Sequence, residues 1–304
     1  MKESRAIKLE AAEENPYLSP AYVRGQLPLT LSLLFVGEWG EALREMRNAI
    51  AILDKNGDYN WGQGVRPHLA WIHLQAMDFA GVLALCNAAL PMAADPESGR
   101  APDDSAPYRF GLWKRLFLMG AAETALGDYE SALEHLLAAR ADMDRPGPTC
   151  TWYWRIPLEN ALTEVWLAKG DLAQARLQAE RSLAIALASA EHMWQALAWE
   201  GNARVAMAEL DDPRARDCIA KALSTMEGFE VPLAAWRVHA TASELHQTAD
   251  QDLAARHLAL SRETIMKLAN SLPAEEPLRR IFLSAPMIRK ILGDSEAPGE
   301  PDTV

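Results

Sequence analysis

The stretch 125–140, ALGDYESALEHLLAAR, decides the fold, because its pattern returns further along the chain. In this stretch a Gly-Asp pair begins at Gly127, and Ala132 follows five residues after the glycine. The segment 169–180, KGDLAQARLQAE, shows the same spacing from Gly170. Recurrence of one local pattern at a roughly constant period indicates a chain built from repeated units.

Six copies can be aligned on the glycine position, which we call the anchor. The anchors are Gly37, Met77, Gly127, Gly170, Leu210 and Ala249, each followed by an acidic residue. Small or apolar residues recur five, nine and twelve positions after the anchor, and a small residue stands seven positions before it. These intervals place the later residues on one stripe of a helix, where small side chains allow a close approach to a neighbouring helix. The acidic residue stands where a second helix begins, a position that favours carboxylates. The pattern therefore predicts consecutive helix pairs.

The small residue, the Gly-Asp turn and the alanine stripe resemble tetratricopeptide repeats (TPR), lengthened from about 34 to about 40 residues. The segments 170–229 and 271–292 are similar to the helical C-terminal arms of large bacterial signalling ATPases, including MalT/LuxR-type regulators and nucleotide cyclase–ATPase fusions. The resemblance covers roughly 16–292 and implies an all-α fold, a right-handed superhelical solenoid of about six TPR-like helix pairs with a C-terminal helical cap. No G-x-x-x-x-G-K-[ST] motif is present in the sequence, so the nucleotide chemistry of that family is not implied.

The sequence predicts three regions: a charged leader (1–15), the solenoid (16–292) and an acidic, disordered tail (293–304). The helix pairs are expected at 18–56, 64–92, 106–142, 152–189, 191–227 and 232–270. Exposed loops are expected at 93–107 and 144–149, where Pro, Gly, Asp and Ser are concentrated. Pro273 and Pro286 can each start a short helix, and these two helices are expected to cap the array.

Composition and motifs exclude several classes of function. The 30 basic and 42 acidic residues give a net charge of −12, which argues against nucleic acid or an anionic membrane as the main partner. The three cysteines lie far apart and indicate buried thiols in a reducing compartment. The N-terminus lacks the apolar segment of a secretory signal, and no apolar run is long enough to cross a bilayer. We expect a soluble, cytoplasmic protein without catalytic residues, metal site or cofactor.

The candidate site is the concave groove lined by the first helix of each pair. Counting 13, 10, 6 and 3 positions before the later anchors gives a mixed surface with charges and hydrogen-bonding groups. The candidate binding residues are Lys114, Asn160, Glu164, Glu200, Arg204, Trp236, His239, Ser243 and His246. His239 and His246 share a helix face, but the sequence indicates no third metal ligand.

The ten tryptophans have two readings: they fill gaps between alanine-lined helices, or some of them anchor a bound peptide. In the first copy the groove positions are Arg24, Leu27, Leu31 and Leu34. Exposed together, the three leucines would form an apolar patch that soluble monomers avoid. We expect them to be covered, by the leader helix or by a second protein.

Three functions remain open at this point. The first is a protein–protein interaction scaffold that binds a protein or peptide segment in the groove, in a signalling or transcription-control setting implied by the family resemblance. The second is the small-molecule effector sensor arm of a MalT-like regulator. The third is an arm that works beside a separately encoded ATPase or regulator. The sequence also leaves a homodimer open.

Overall fold

A computed structural model describes residues 19–57, 59–88, 106–145 and 151–293. Within these ranges the chain forms fourteen α-helices and no β-strand. The helices are α1 (Ser19–Phe35), α2 (Trp39–Lys55), α3 (Tyr59–Gln75), α4 (Phe79–Ala88), α5 (Ala106–Leu126), α6 (Tyr129–Asp144), α7 (Thr151–Lys169), α8 (Leu172–Leu187), α9 (His192–Ala208), α10 (Asp212–Met226), α11 (Pro232–His246), α12 (Gln251–Ser271), α13 (Pro277–Ser284) and α14 (Pro286–Leu292).

The all-α prediction is confirmed. The predicted helix pairs agree with α1–α12 within a few residues, except that α3 begins at Tyr59 and not at 64. The predicted helical residues 89–92 lie outside the described ranges. The predicted leader, most of the two predicted loops and the tail after Gly293 lie outside the described residues. Ala106 and Pro107, which the sequence prediction included both in the loop 93–107 and in the helix pair 106–142, belong to α5. Gly293, assigned to the tail, adopts φ +91° and forms the C-cap of α14.

The turns between paired helices have the same geometry at five of the six anchors. Gly37, Gly127 and Gly170 have φ of +89°, +87° and +80°, and the non-glycine anchors Met77 and Leu210 have +59° and +60°. At each of these turns the amide of the following acidic residue donates to the carbonyl oxygen five residues earlier, as from Asp128 to Glu123. This six-residue loop is the Schellman C-cap, which satisfies the free carbonyls of the first helix and reverses the chain.

The acidic residue after the anchor caps the second helix. The Asp128, Asp171, Asp211 and Asp250 carboxylates accept hydrogen bonds from backbone amides three residues later, which are unpaired at a helix N-terminus. Asp78 does the same for the Gly81 amide. At the first anchor Glu38 forms no such bond.

The small residues of the repeat lie where paired helices cross. All six residues seven positions before the anchors are buried, as are all six residues five positions after them. At Gly120 an added Cβ would lie 2.6 Å from Leu136 Cγ and 2.9 Å from the Ala132 carbonyl oxygen. The backbones of α5 and α6 therefore approach more closely than any larger side chain allows.

The helices pack mainly on their neighbours in chain order, and the odd-numbered helices α3, α5, α7, α9 and α11 also pack on one another. The two short helices α13 and α14 pack on α12, as expected of a cap. The first of them begins at Pro277, so the prediction that Pro273 starts it is wrong.

The beginning and the end of the array are also in contact, at a surface that we call the seam. On one side it comprises Gly37, Trp39, Gly40 and Arg47, and on the other Pro232, Leu268, Ser271, Glu276 and Phe282. The Trp39 amide donates to Ser271 Oγ at 3.1 Å, and the buried Trp39 and Phe282 rings lie 5.0 Å apart in an edge-to-face arrangement. The two terminal nitrogens of Arg47 donate to the two carboxylate oxygens of Glu276 at 2.8 and 3.0 Å.

An aromatic cluster joins the inner faces of five odd-numbered helices. Its members are Phe35, Trp71, Phe117, Tyr153, Trp154 and Trp194. Phe35, the last residue of α1, lies 6.0 Å from Trp194 near the start of α9, and Trp71 lies 4.2 Å from Trp154. Aromatic rings at these separations attract one another beyond simple burial. The cluster therefore ties distant helix pairs together across the inside of the array.

The leucines of the first copy pack into the hydrophobic core. Leu34 is fully buried, and Leu27 and Leu31 are partly buried against the core. Leu34 is therefore not exposed in the groove, and Leu27 and Leu31 are exposed only in part. The predicted cover by the leader concerns residues outside the described ranges.

Candidate ligand cavity

The odd-numbered helices surround a partly enclosed cavity of about 1030 Å³. Residues of α3, α5, α7, α9 and α11 line it, together with residues of α8, α12 and α14. None of the seam residues lines the cavity, so the seam joins the two ends of the array without forming the cavity wall. The inner surface predicted as a groove is a partly open cavity of the described residues.

One part of the cavity wall is aromatic and aliphatic. Trp71, Phe117 and Trp194 belong to the aromatic cluster and also line the cavity. Leu197 and Leu233 extend this apolar wall along α9 and α11. Ligand pockets bury most of a bound molecule against surfaces of this kind.

A charged cluster occupies another part of the wall. Arg204 Nη1 donates to both carboxylate oxygens of Glu164, at 2.5 and 2.7 Å, and Arg204 Nε lies 3.8 Å from Glu200 Oε1. The Thr241 hydroxyl donates to Glu200 Oε1 at 2.7 Å. The charge of Glu164 raises the pKa of Arg204, and burial raises the pKa of Glu200 despite its neighbouring arginine. Asn160 and Ser182 form a hydrogen bond beside this cluster.

Arg237 is the second arginine of the cavity wall. Its guanidinium carbon lies 4.4 Å from the centre of the Trp236 ring, and Nη1 donates to the Leu233 carbonyl oxygen at 2.8 Å. Burial lowers the pKa of Arg237 to about 10, so the side chain carries its positive charge at neutral pH. Lys290 of α14 adds another cation to the wall.

The structure brings together most of the binding residues proposed from the sequence. The cavity is lined by Asn160, Glu164, Glu200, Arg204, Trp236 and Ser243. Lys114, His239 and His246 are not among its lining residues. Lys114 is fully buried. Its ammonium group lies 5.0 Å from the centre of the Trp154 ring, where aromatic rings fill the interior.

The two histidines meet a third on the neighbouring helix. His239 Nδ1 lies 3.0 Å from Nδ1 of His257 in α12, and the rings of His246 and His257 stack with their centres 6.2 Å apart. Burial and the charge of His257 lower the pKa of His239 to about 4. Among the described residues no group of three or more His, Cys, Asp or Glu side chains is arranged to hold a metal ion.

The register used for the sequence prediction missed Arg237 and Thr241. Adjacent helix positions point about 100° apart, so a one-face register that selects Trp236 leaves out Arg237. The cavity wall is wide enough to include both. Lys290 lies in the cap, for which the repeat pattern made no prediction. The only signal for Arg237 in the sequence is its place next to a tryptophan.

The structure places several tryptophans in the core, as the first reading expects, and the reading as peptide anchors stays a prediction. Trp39, Trp113 and Trp154 are buried core residues, whereas Trp71 and Trp194 are buried and also line the cavity. Cys86 and Cys218 are buried free thiols, and burial raises the pKa of Cys86 to about 12.

Comparison with known proteins adds no assignment. No protein-family model matches the chain, and no curated protein matches it. In the described part of the chain, none of the helices combines the length and the apolar character that a bilayer crossing requires.

Proposed function

We propose that the chain is a non-enzymatic binding module of the tetratricopeptide type, which takes a compact organic ligand in its central cavity. The observation that carries the proposal is the cavity itself, because about 1030 Å³ is at the upper end of the range for small-molecule pockets. An extended peptide needs a groove that is open at both ends. The partial enclosure of the cavity favours a compact ligand over such a segment.

The arrangement of charges supports binding over catalysis. Both oxygens of Glu164 accept hydrogen bonds from Arg204, and Glu200 accepts one from Thr241. General acid–base chemistry uses carboxyl groups that can reach a substrate proton. The hydrogen bonds instead hold these side chains in fixed positions, as required for recognition.

The fold supports a role like that of the helical arms in signalling regulators. The repeated Schellman turns and the N-capping aspartates are the parts of the tetratricopeptide pattern that depend on local geometry. We propose that the helix pairs wind as a right-handed superhelix of about six repeats. In this proposal ligand binding is passed to a separately encoded ATPase or regulator in the cytoplasm.

A second candidate is a scaffold that binds a short protein segment. The cavity wall offers Trp194, Trp236 and Arg204, residue types enriched at the energetic centres of protein interfaces. Under this alternative only a few residues of the partner enter the cavity, and its remaining chain leaves through the open side.

Native mass spectrometry with two pools of candidate ligands tests the proposal. The protein is incubated with the small-molecule fraction of a cell extract and, separately, with a library of short peptides. In Ala240→Phe a ring is added to the cavity wall beside Arg237, and in Ala220→Phe the same ring is added to the exposed surface of α10.

We expect a small molecule to bind the unmodified protein and Ala220→Phe but not Ala240→Phe. Binding of peptides alone, with the same dependence on Ala240, would favour the second candidate. If neither pool gives a ligand that Ala240→Phe excludes, the cavity is not the binding site and the proposal is wrong.

A further inference from the structure

We propose that the ligand of the cavity is an organic carboxylate, whose carboxylate group binds Arg237 and whose apolar body lies against Trp71 and Trp194. The inference rests on the proposed function, because it assigns the chemical class of a ligand for the same cavity. It follows from the hydrogen bonds and charges of the wall.

Arg237 differs from Arg204 in its partners. Arg204 has a carboxylate on each side, Glu164 at hydrogen-bond distance and Glu200 at 3.8 Å. Arg237 donates to the Leu233 carbonyl oxygen, and among the described residues no carboxylate oxygen lies within 4.0 Å of its guanidinium. A guanidinium carries five N–H donors, so several remain for a ligand.

The position of Arg237 is that of a binding residue. The Trp236 ring lies under its guanidinium and holds the plane of the group in place. Glu200 and Glu164 act on Arg237 through their charges but not at ion-pair distance, so a bound anion would add the direct partner that this partly buried charge lacks. A planar guanidinium fits a carboxylate through two parallel hydrogen bonds.

The remaining charges of the wall favour an anion. Lys290 also lines the cavity and has no carboxylate within 4.0 Å in the described part of the chain. Glu164 is engaged by Arg204, and burial raises the pKa of Glu200. Glu244, the other acidic lining residue, is exposed, so water screens its charge. Lys290 is exposed as well, so Arg237 is the partly buried cation of the wall that has no carboxylate within 4.0 Å among the described residues.

The apolar part of the cavity wall indicates the chemical character of the rest of the ligand. Trp71, Phe117 and Trp194 give flat ring surfaces, and Leu197 and Leu233 give aliphatic ones. These surfaces bind hydrocarbon or aromatic groups by the hydrophobic effect. A molecule with an apolar body and one terminal carboxylate satisfies both parts of the wall.

A matched series of probes tests the inference. The probes are aryl-alkanoic acids from phenylacetate to phenylbutyrate and their indole counterparts, each compared with its primary carboxamide and with the corresponding amine. Binding is detected by saturation-transfer NMR, and dissociation constants come from titration at neutral pH. The proteins are the unmodified chain, Arg237→Gln, Arg237→Lys, Ala240→Phe and, as a matched control, Arg216→Gln on the exposed surface of α10.

We expect carboxylates to bind the unmodified protein about tenfold more tightly than their carboxamides, as a charge-assisted hydrogen-bond pair predicts. In Arg237→Gln this preference should fall to about twofold or less, by loss of carboxylate affinity alone. Arg237→Lys should keep part of the preference, because the charge remains but the two-pronged geometry is lost. Arg216→Gln should leave it unchanged. Unchanged carboxamide affinity in Arg237→Gln shows that the cavity itself remains intact.

Other results separate the two proposals. If carboxamides or amines bind as tightly as carboxylates, and Ala240→Phe abolishes their binding, the carboxylate inference is overturned while the cavity keeps its proposed function. If the preference survives in Arg237→Gln, another group recognises the carboxylate and the role of Arg237 is wrong. If no probe in any of the three forms binds in a way that Ala240→Phe prevents, the carboxylate inference fails, and the proposed function is then decided by native mass spectrometry with the two ligand pools.

Discussion

Replacement of Gly40 by alanine should reveal whether the seam closes the array. An added Cβ at Gly40 would lie 2.3 Å from the Ser271 carbonyl oxygen and 3.3 Å from Pro273 Cδ. A carbon and an oxygen need about 1 Å more than this, so α2 and the end of α12 must separate. The separation weakens the hydrogen bond from the Trp39 amide and exposes the ring of Phe282.

The sign of the change in unfolding free energy shows whether the seam forms. Overpacking of a fitted contact costs about 1–3 kcal/mol, and helix propensity returns at most about 1 kcal/mol when alanine replaces glycine. We therefore expect Gly40→Ala to lower the free energy of unfolding by about 1–2 kcal/mol. Without the seam, the propensity gain alone would stabilise the protein by up to about 1 kcal/mol.

Gly201→Ala is the matched control within an inner helix. Its added Cβ would meet only Thr163 Cγ2, at 3.8 Å, which is an ordinary contact. Urea unfolding followed by circular dichroism should show Gly201→Ala stabilised by about 1 kcal/mol and Gly40→Ala destabilised. Hydrogen exchange of the Trp39 amide should be faster in Gly40→Ala. Equal stabilisation of the two variants would mean that the seam does not form.

Three other predictions concern turns, caps and pH. Leu210 is 88% exposed at φ +60°. Leu210→Gly should therefore raise the free energy of unfolding by about 1 kcal/mol, and Gly170→Ala should lower it by a similar amount. Equal effects of one sign in urea unfolding would contradict the strain argument. Asp171→Ala should cost about 1 kcal/mol of unfolding free energy through loss of its cap, whereas Glu38→Ala, which removes no cap bond, should be nearly neutral. Burial lowers the pKa of His239 to about 4. The contribution of neutral His239 to the free energy of unfolding is therefore complete above about pH 6.5 and is lost as the pH falls towards 4. Between pH 7 and pH 5 the free energy of unfolding, from thermal or urea denaturation, should fall by about 1 kcal/mol less in His239→Asn than in the unmodified protein, a figure reduced for solvent screening. Identical pH profiles of the two proteins would refute this prediction.

The local parts of the fold could be predicted because they depend on residues close in the sequence. Gly127 and Gly170 adopt the left-handed conformation that ends a helix, and the following aspartates cap the next helix. Met77 and Leu210 adopt the same conformation without glycine. At these two positions the repeat alignment predicted the turn better than residue type did.

The start of α13, the first helix of the cap, was not predicted correctly from the local sequence. Both Pro273 and Pro277 have the residue type that can start a helix, and the sequence pointed to Pro273. In the structure Pro273 Cδ lies near Gly40, in the turn that leads into the seam, and Pro277 starts α13. Pro273 thus lies against a residue far back in the chain, a contact that the local sequence does not indicate.

The candidate site was predicted only in part, because the repeat register relates equivalent positions of neighbouring copies but not contacts with other helices. Glu164 and Arg204 occupy equivalent register positions of neighbouring copies, so the repeat places them side by side, and they form an ion pair. Lys114, which stands 13 positions before its anchor, was also assigned to the groove face but is buried beside aromatic rings. The partner of His239, His257, comes from the second helix of its pair, which the groove register did not include.

By itself the sequence determined an array of capped α-helical pairs with small residues at their crossings, because each of these features is set within about one helix turn of its own residues. Only the tertiary structure decided that the two ends of the array meet and that its inner surface holds a partly open cavity. The Trp39 amide and the Ser271 hydroxyl are 232 residues apart in the chain, and Arg47 and Glu276 are 229 apart. No periodic pattern encodes such a contact, since it depends on the summed displacement of every helix pair between its two ends.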